Sequence, residues 1–167
     1  AETPPPAVEV AEATPEPMAA APVVAPLNAT PASAIDVPVY ATRLPPAGTW
    51  RYQLTRGIAS GEAQLSWWPT EQQRYEMKLE GSVAGISVLD WVSAGAIDNA
   101  GIAPERFVIR RRGKDSQAAN FQRDAGKISF SGPIHELPLI AGVQDRLSWM
   151  LQLPGVIEAA PQHFGAG

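Results

Sequence analysis

The chain reads as a mainly β protein: a curved antiparallel up-and-down sheet, a partial barrel, packed on one α-helix, with a disordered Pro-rich N-terminal segment. Three observations predict this. Stretches with alternating apolar residues recur at roughly ten-residue spacing, separated by Gly-containing turns. A single stretch, residues 142–153, has helical spacing instead. And 11 of the 17 prolines fall within residues 1–46 of the 167.

Those first 46 residues form a distinct region, rich in Ala, Val, Thr and Glu, with no aromatic residue before Tyr40. Proline fixes φ and removes a backbone donor, so neither helix nor sheet propagates. Few large apolar groups are present to offset the entropy of ordering. The expectation is a disordered spacer with polyproline II character, reaching on the order of 100 Å at about 3.1 Å per residue. A floppy tail without a task fits the same composition.

The folded domain is expected over residues 47–167. Residues 49–56 alternate, with Trp50, Tyr52 and Leu54 on one face. Gly57 and Gly61 bracket a bend or bulge. Residues 62–67 alternate again and put Ala63, Leu65 and Trp67 together. Pro69, Thr70 and Glu71 make a turn. Residues 74–80 give the clearest strand, with Tyr75, Met77 and Leu79 inward and four charged residues outward. Gly81 and Gly85 mark the next corner, before a mostly apolar strand over 86–93. A turn over 98–101 leads to a strand over 106–112, then one over 118–123, a hairpin turn over 124–127 and a strand over 128–130. One face of these strands is apolar and the other charged, so something must cover the apolar face. The stretch from Gly142 is the candidate. Val143, Leu147, Met150 and Leu151 share a helical stripe extended by Leu153; Gln144 and Asp145 fall in its first turn, and Pro154-Gly155 stops it.

With these elements placed, the chain resembles the DUF3108 family (domain of unknown function 3108), exported proteins common in proteobacteria. The resemblance lies in Arg56-Gly57-Ile58 with Gly61-Glu62-Ala63 and residues 65–67, in residues 101–107, in Asn120-Phe121, and in residues 142–153 with Gln144, Asp145, Arg146, Leu147 and Ser148. It covers most of residues 48–165. It implies a β-rich, barrel-like fold and a periplasmic or cell-envelope location, with any anchor in residues preceding Ala1. It supplies no activity and no catalytic residue. The family's β domain continues beyond the helix with further strands, whereas this chain stops at Gly167. The domain is therefore expected to be C-terminally incomplete, with one strand edge open to pairing.

Composition narrows the function. Residues 1–42 carry five acidic and no basic residues, and the remainder carries 13 basic against 12 acidic. Nucleic-acid binding needs a dense basic face, so it is not expected. There is no cysteine, which removes disulfides, thiolate metal sites and a cysteine nucleophile. No apolar run reaches the length of a transmembrane helix. The start at Ala1 matches what signal peptidase leaves and favours export; a trimmed chain would begin the same way.

Chemistry-bearing patterns are sparse. His135 and His163 are separated, and neither belongs to an HExxH motif. No GxSxG elbow, P-loop or dinucleotide fingerprint occurs. Ser148 is read as mid-helix, facing away from the Leu147 stripe. Arg110 and Arg112 belong to a basic run at a strand end, read either as a solvated end that discourages edge pairing or as an anion site. Gln144, Asp145, Arg146 and Leu147 are read as a structural motif, with Asp145 capping the helix and Arg146 reaching a strand. Trp67 and Trp68 must point to opposite faces of one strand. Trp67, Trp91 and Trp149 are the named walls of an apolar ligand site, with Arg110 and Arg112 as polar contacts.

The expected function is a non-catalytic envelope domain that binds a lipid or other apolar molecule on the concave face of the sheet, without metal or cofactor. The alternative is a structural or protein-interaction module of the envelope. An envelope hydrolase is a third reading, without a paired-carboxylate signature behind it.

Overall fold

The structure is a computed structural model that describes residues 38–132 and 135–165, except for the side chain of Arg56. The expected spacer lies outside these residues up to residue 37. Eight strands form one antiparallel sheet in sequence order: β1 (Gly48–Arg56), β2 (Ala59–Pro69), β3 (Arg74–Val83), β4 (Ile86–Asp98), β5 (Gly101–Arg111), β6 (Lys114–Gln122), β7 (Lys127–Phe130) and β8 (Glu136–Pro138). β1 and β8 do not pair, so the sheet stays open. The helix α1 (Trp149–Ala159) packs against it.

Alternation places the core. Trp50 pairs with Leu65, Leu65 with Leu79, Leu79 with Trp91 and Trp91 with Ile109, so one cross-strand row runs along the concave face. The next row runs through Trp67, Met77, Ser93, Phe107, Ala119 and Phe130. Opposite residues on neighbouring strands point to the same side, which is why the period-2 pattern concentrates these groups. Register shifts at Gly81/Ser82, Ala94/Gly95 and Ile109/Arg110 interrupt the ladders. Bulges of this kind bend a strand and increase its twist, and so curve the sheet around its apolar face. Gly95 permits one of them, because a Cβ there would collide with the Ala103 carbonyl.

Several elements differ from the sequence expectation. β4 runs five residues further and β5 begins at Gly101, because the turn at 99–100 is tight and both flanks pair. β8 carries no alternation to reveal it, being three exposed residues ending in a proline at the sheet edge.

The helix begins seven residues later than expected and contains Pro154-Gly155 instead of ending there. Pro154 cannot supply a donor to the Met150 carbonyl, yet lies on a solvent-exposed stretch of a helix held by its neighbours. Gly155 is buried against the chain before β1. The Arg43 amide donates to the Gly155 carbonyl at 2.9 Å, and a Cβ on Gly155 would stand 2.8 Å from Thr42 Cγ2. The dipeptide that reads as a stop is therefore a notch for a passing strap.

That strap corrects the domain boundary. Residues 42–46, assigned to the spacer from their prolines, are part of the folded body. Leu44 packs on the core, and the Pro45 carbonyl accepts a hydrogen bond from Trp67 Nε1 at 3.0 Å. Prolines exclude this segment from the ladder but leave its carbonyls and rings available for packing.

Candidate functional site

The site is built where the chain descends from β8 to α1. Residues 142–148 form turns and an irregular loop, not the first two turns of a helix. Asp145 organises them. Its Oδ1 accepts from the backbone N–H of Leu147 at 2.7 Å and of Ser148 at 2.8 Å. Ser148 Oγ in return accepts the Asp145 N–H at 2.9 Å. This reciprocal arrangement resembles a capping box and closes the turn that leads into α1. Asp145 thus caps the lead-in turn, as its side-chain type suggests.

The second carboxylate oxygen ties the turn to the sheet. Ser93 Oγ donates to Asp145 Oδ2 at 2.6 Å, and the Tyr75 hydroxyl lies 2.8 Å from Ser93 Oγ. Since the serine proton is committed to the carboxylate, the phenol donates to Ser93. The chain of donation runs Tyr75 to Ser93 to Asp145, across β3, β4 and the loop, and all three residues are buried. Burial pushes the Asp145 carboxyl up from its ordinary value, against the downward pull of its hydrogen bonds. Burial likewise raises the Tyr75 phenol. Ser148 is fully buried inside this network, contrary to the expectation that it faces outward, because the non-helical turn rotates it toward Asp145.

Gln144 and Gln152 clamp the loop and helix to β5. Gln144 Nε2 donates to the Ile102 carbonyl at 2.7 Å, and Gln152 accepts from the Ile102 N–H at 2.8 Å and donates to the Ala100 carbonyl at 2.6 Å. Leu147 fills the core below and is fully buried. Arg146 turns the other way. It is exposed, forms no ion pair among the described residues, and its carbonyl accepts from Trp149 Nε1 at 3.1 Å. The expected link from Arg146 to a strand is not formed, because Asp145 draws the strand contact through Ser93 instead.

Among the described residues, fixing the loop here leaves part of the concave face uncovered. Between β5–β8 and residues 143–146 lies a cleft of about 290 Å³, with Phe107, Ile109, Phe121, Ile128, Phe130 and Val143 as its apolar surface. Gln117, Gln144, Asp145 and Arg146 bring polar groups to it.

None of the wall residues named from sequence lines this cleft. Trp67 is fully buried, 5.3 Å from Tyr75 between ring centroids, with its indole N–H spent on Pro45. Trp91 stands to one side of it, opposite Ile109 on the neighbouring strand and edge-on to Phe107 at 6.0 Å between centroids. Trp149 is half exposed on the outer side of α1. Arg110 pairs with Asp115 at 3.2 Å, and Arg112 sits exposed in the β5–β6 turn with φ of 53°. Trp68 does point to solvent, as its place beside Trp67 requires. The residues that line the cleft carried one available signal, aromatic and branched apolar positions recurring on β5, β6 and β7. His135 lies against Phe130, centroids 5.2 Å apart, and His163 is exposed after α1.

No helix among the described residues is long and apolar enough to cross a membrane. No family model, curated protein or solved structure matches the chain, so the DUF3108 resemblance rests on the quoted residues alone.

Proposed function

We propose that this protein is a non-catalytic binding domain that holds one small apolar, lipid-like molecule in the cleft beside the Asp145 turn. The observation behind this reading is the cleft itself. Folded chains fill their interiors closely, and an open apolar hollow beside a well-packed core is the usual mark of a ligand site. At about 290 Å³ the hollow suits a single chain or a small ring system. Asp145, buried at its edge, is occupied in joining the turn to the sheet, which is a structural role. The periplasmic or cell-envelope location implied by the DUF3108 resemblance belongs to the same proposal.

Native mass spectrometry of protein purified from its own host tests it. A bound acyl-containing species is expected in the wild type and is expected to be lost in Val143→Trp, which fills the cleft from the loop side. Wild-type protein that is repeatedly empty and gains no mass on addition of medium-chain lipids would defeat the reading.

A second reading, an envelope protein-interaction module, has its own support. Trp149, Leu153 and Ile157 form an exposed apolar stripe at four-residue spacing on the outer face of α1, with Tyr40 and Phe164 also exposed. Cross-linking in envelope extracts with a photoreactive group at Leu153 tests it. A discrete adduct supports an envelope protein partner, and its absence in the native host removes it.

A further inference from the structure

Taking the cleft as a binding site, we infer that its ligand is a single-chain anionic amphiphile, with the chain against the phenylalanines and the head group held by Arg146. Three features combine. The interior of the cleft offers Phe107, Phe121, Ile128 and Phe130 and so recognises hydrocarbon. Arg146 borders the same cleft with no carboxylate within ion-pairing distance among the described residues. The acidic groups nearby are already engaged. Asp145 directs its oxygens inward to Ser93 and the backbone of Leu147 and Ser148, and Glu136 beside Leu137 is paired with Lys127 at 2.7 Å.

The arginine discriminates between head groups. A neutral alcohol seated at the mouth offers the guanidinium one uncharged acceptor in place of the water it displaces, which gains little. A carboxylate or phosphate replaces that water with charge-assisted hydrogen bonds in the planar fork that arginine presents. The volume of about 290 Å³ is at the low end for ligand pockets and accommodates one chain, not two. Among the described residues the side chain of Arg146 makes no hydrogen bond, and only its backbone carbonyl takes part in the turn, so the side chain can be replaced without disturbing it.

Isothermal titration with dodecanoate, dodecyl phosphate and dodecanol, on wild type and on Arg146→Gln, reads the proposal. At least one anionic probe is expected to bind wild type about tenfold more tightly than dodecanol, as one charge-assisted pair implies. The preferred anion identifies the head group as carboxylate or phosphate. Arg146→Gln is expected to abolish the preference, by weakening the anionic probe until it binds no more tightly than dodecanol, and Arg146→Lys to restore part of it. Equal binding of all three probes to wild type, or a preference that survives in Arg146→Gln, overturns the head-group assignment and leaves the apolar cleft standing. Failure of all three to bind wild type overturns both.

Discussion

Replacing Asp145 with alanine removes three accepted hydrogen bonds at one buried point. Two of them satisfy the amides of Leu147 and Ser148, which have no intrahelical partner at the entry to α1. Loss of a capping side chain of this kind costs about 1 kcal/mol, within a range of roughly 0.5–2. The third accepts the Ser93 proton at 2.6 Å, behind which Tyr75 donates to Ser93. Without the carboxylate the two hydroxyls retain each other, but one buried proton is left without an acceptor, at roughly 1–3 kcal/mol. Together the loss is about 3 kcal/mol, a large share of the ~5–15 kcal/mol typical of a whole domain. Urea unfolding followed by tryptophan fluorescence measures it. A thermodynamic cycle with Ser93→Ala adds the decisive comparison: residues in one network are expected to couple by about 1 kcal/mol or more. A loss below about 0.5 kcal/mol, as at an ordinary surface site, or a coupling of zero, would refute the view that this network fastens the loop to the sheet.

Other outcomes follow from the same geometry. The Asp145 carboxyl is raised in the folded state, so its contribution is fully present below its unfolded value and lost as pH rises through the folded one. The stability of wild type relative to Asp145→Asn is therefore expected to increase as pH falls from neutrality toward the ordinary carboxylate range, and a flat difference would contradict it. Gly155→Val is expected to lower the melting temperature by expelling the strap at Thr42 and Arg43, at a cost of about 1–3 kcal/mol. It should also make residues 40–46 more sensitive to protease. Leu147→Ala, at a fully buried position, is expected to cost about 2–5 kcal/mol in chemical denaturation. Trp67→Phe removes the bond to Pro45 and should cost about 1 kcal/mol beyond its lost volume, with a blue-shifted tryptophan component disappearing from the emission spectrum.

The strands were legible because their information is local. Tyr75, Met77 and Leu79 alternate with charged neighbours, and a period of two needs no knowledge of what lies opposite. Glycines at the corners completed the reading, as at Gly57, Gly85 and Gly126, each with positive φ in a turn. The helix was legible as an element but not in its limits. Asp145 and Ser148 favour helix entry and turn closure alike, and the choice of turn is made by a donor from Ser93, 52 positions away in the chain. The candidate site was hardly legible. Tryptophan content pointed to Trp67, Trp91 and Trp149, yet size and aromaticity do not say whether a ring fills the core, backs another ring or faces water.

By itself, then, the order of residues determined a mainly β chain with its hairpins, its apolar face and one helix to lie against that face, since each depends on neighbours a few positions apart. Tertiary structure alone decided where the helix stands, which stretch of sheet it leaves bare, and that Arg146 overlooks the gap. Those outcomes depend on contacts that join distant parts of the chain: Gln152 with Ala100 and Ile102, Gly155 with Arg43, and Asp145 with Ser93. Hydrogen bonds of that kind form only once the sheet has curved enough to bring their partners within reach.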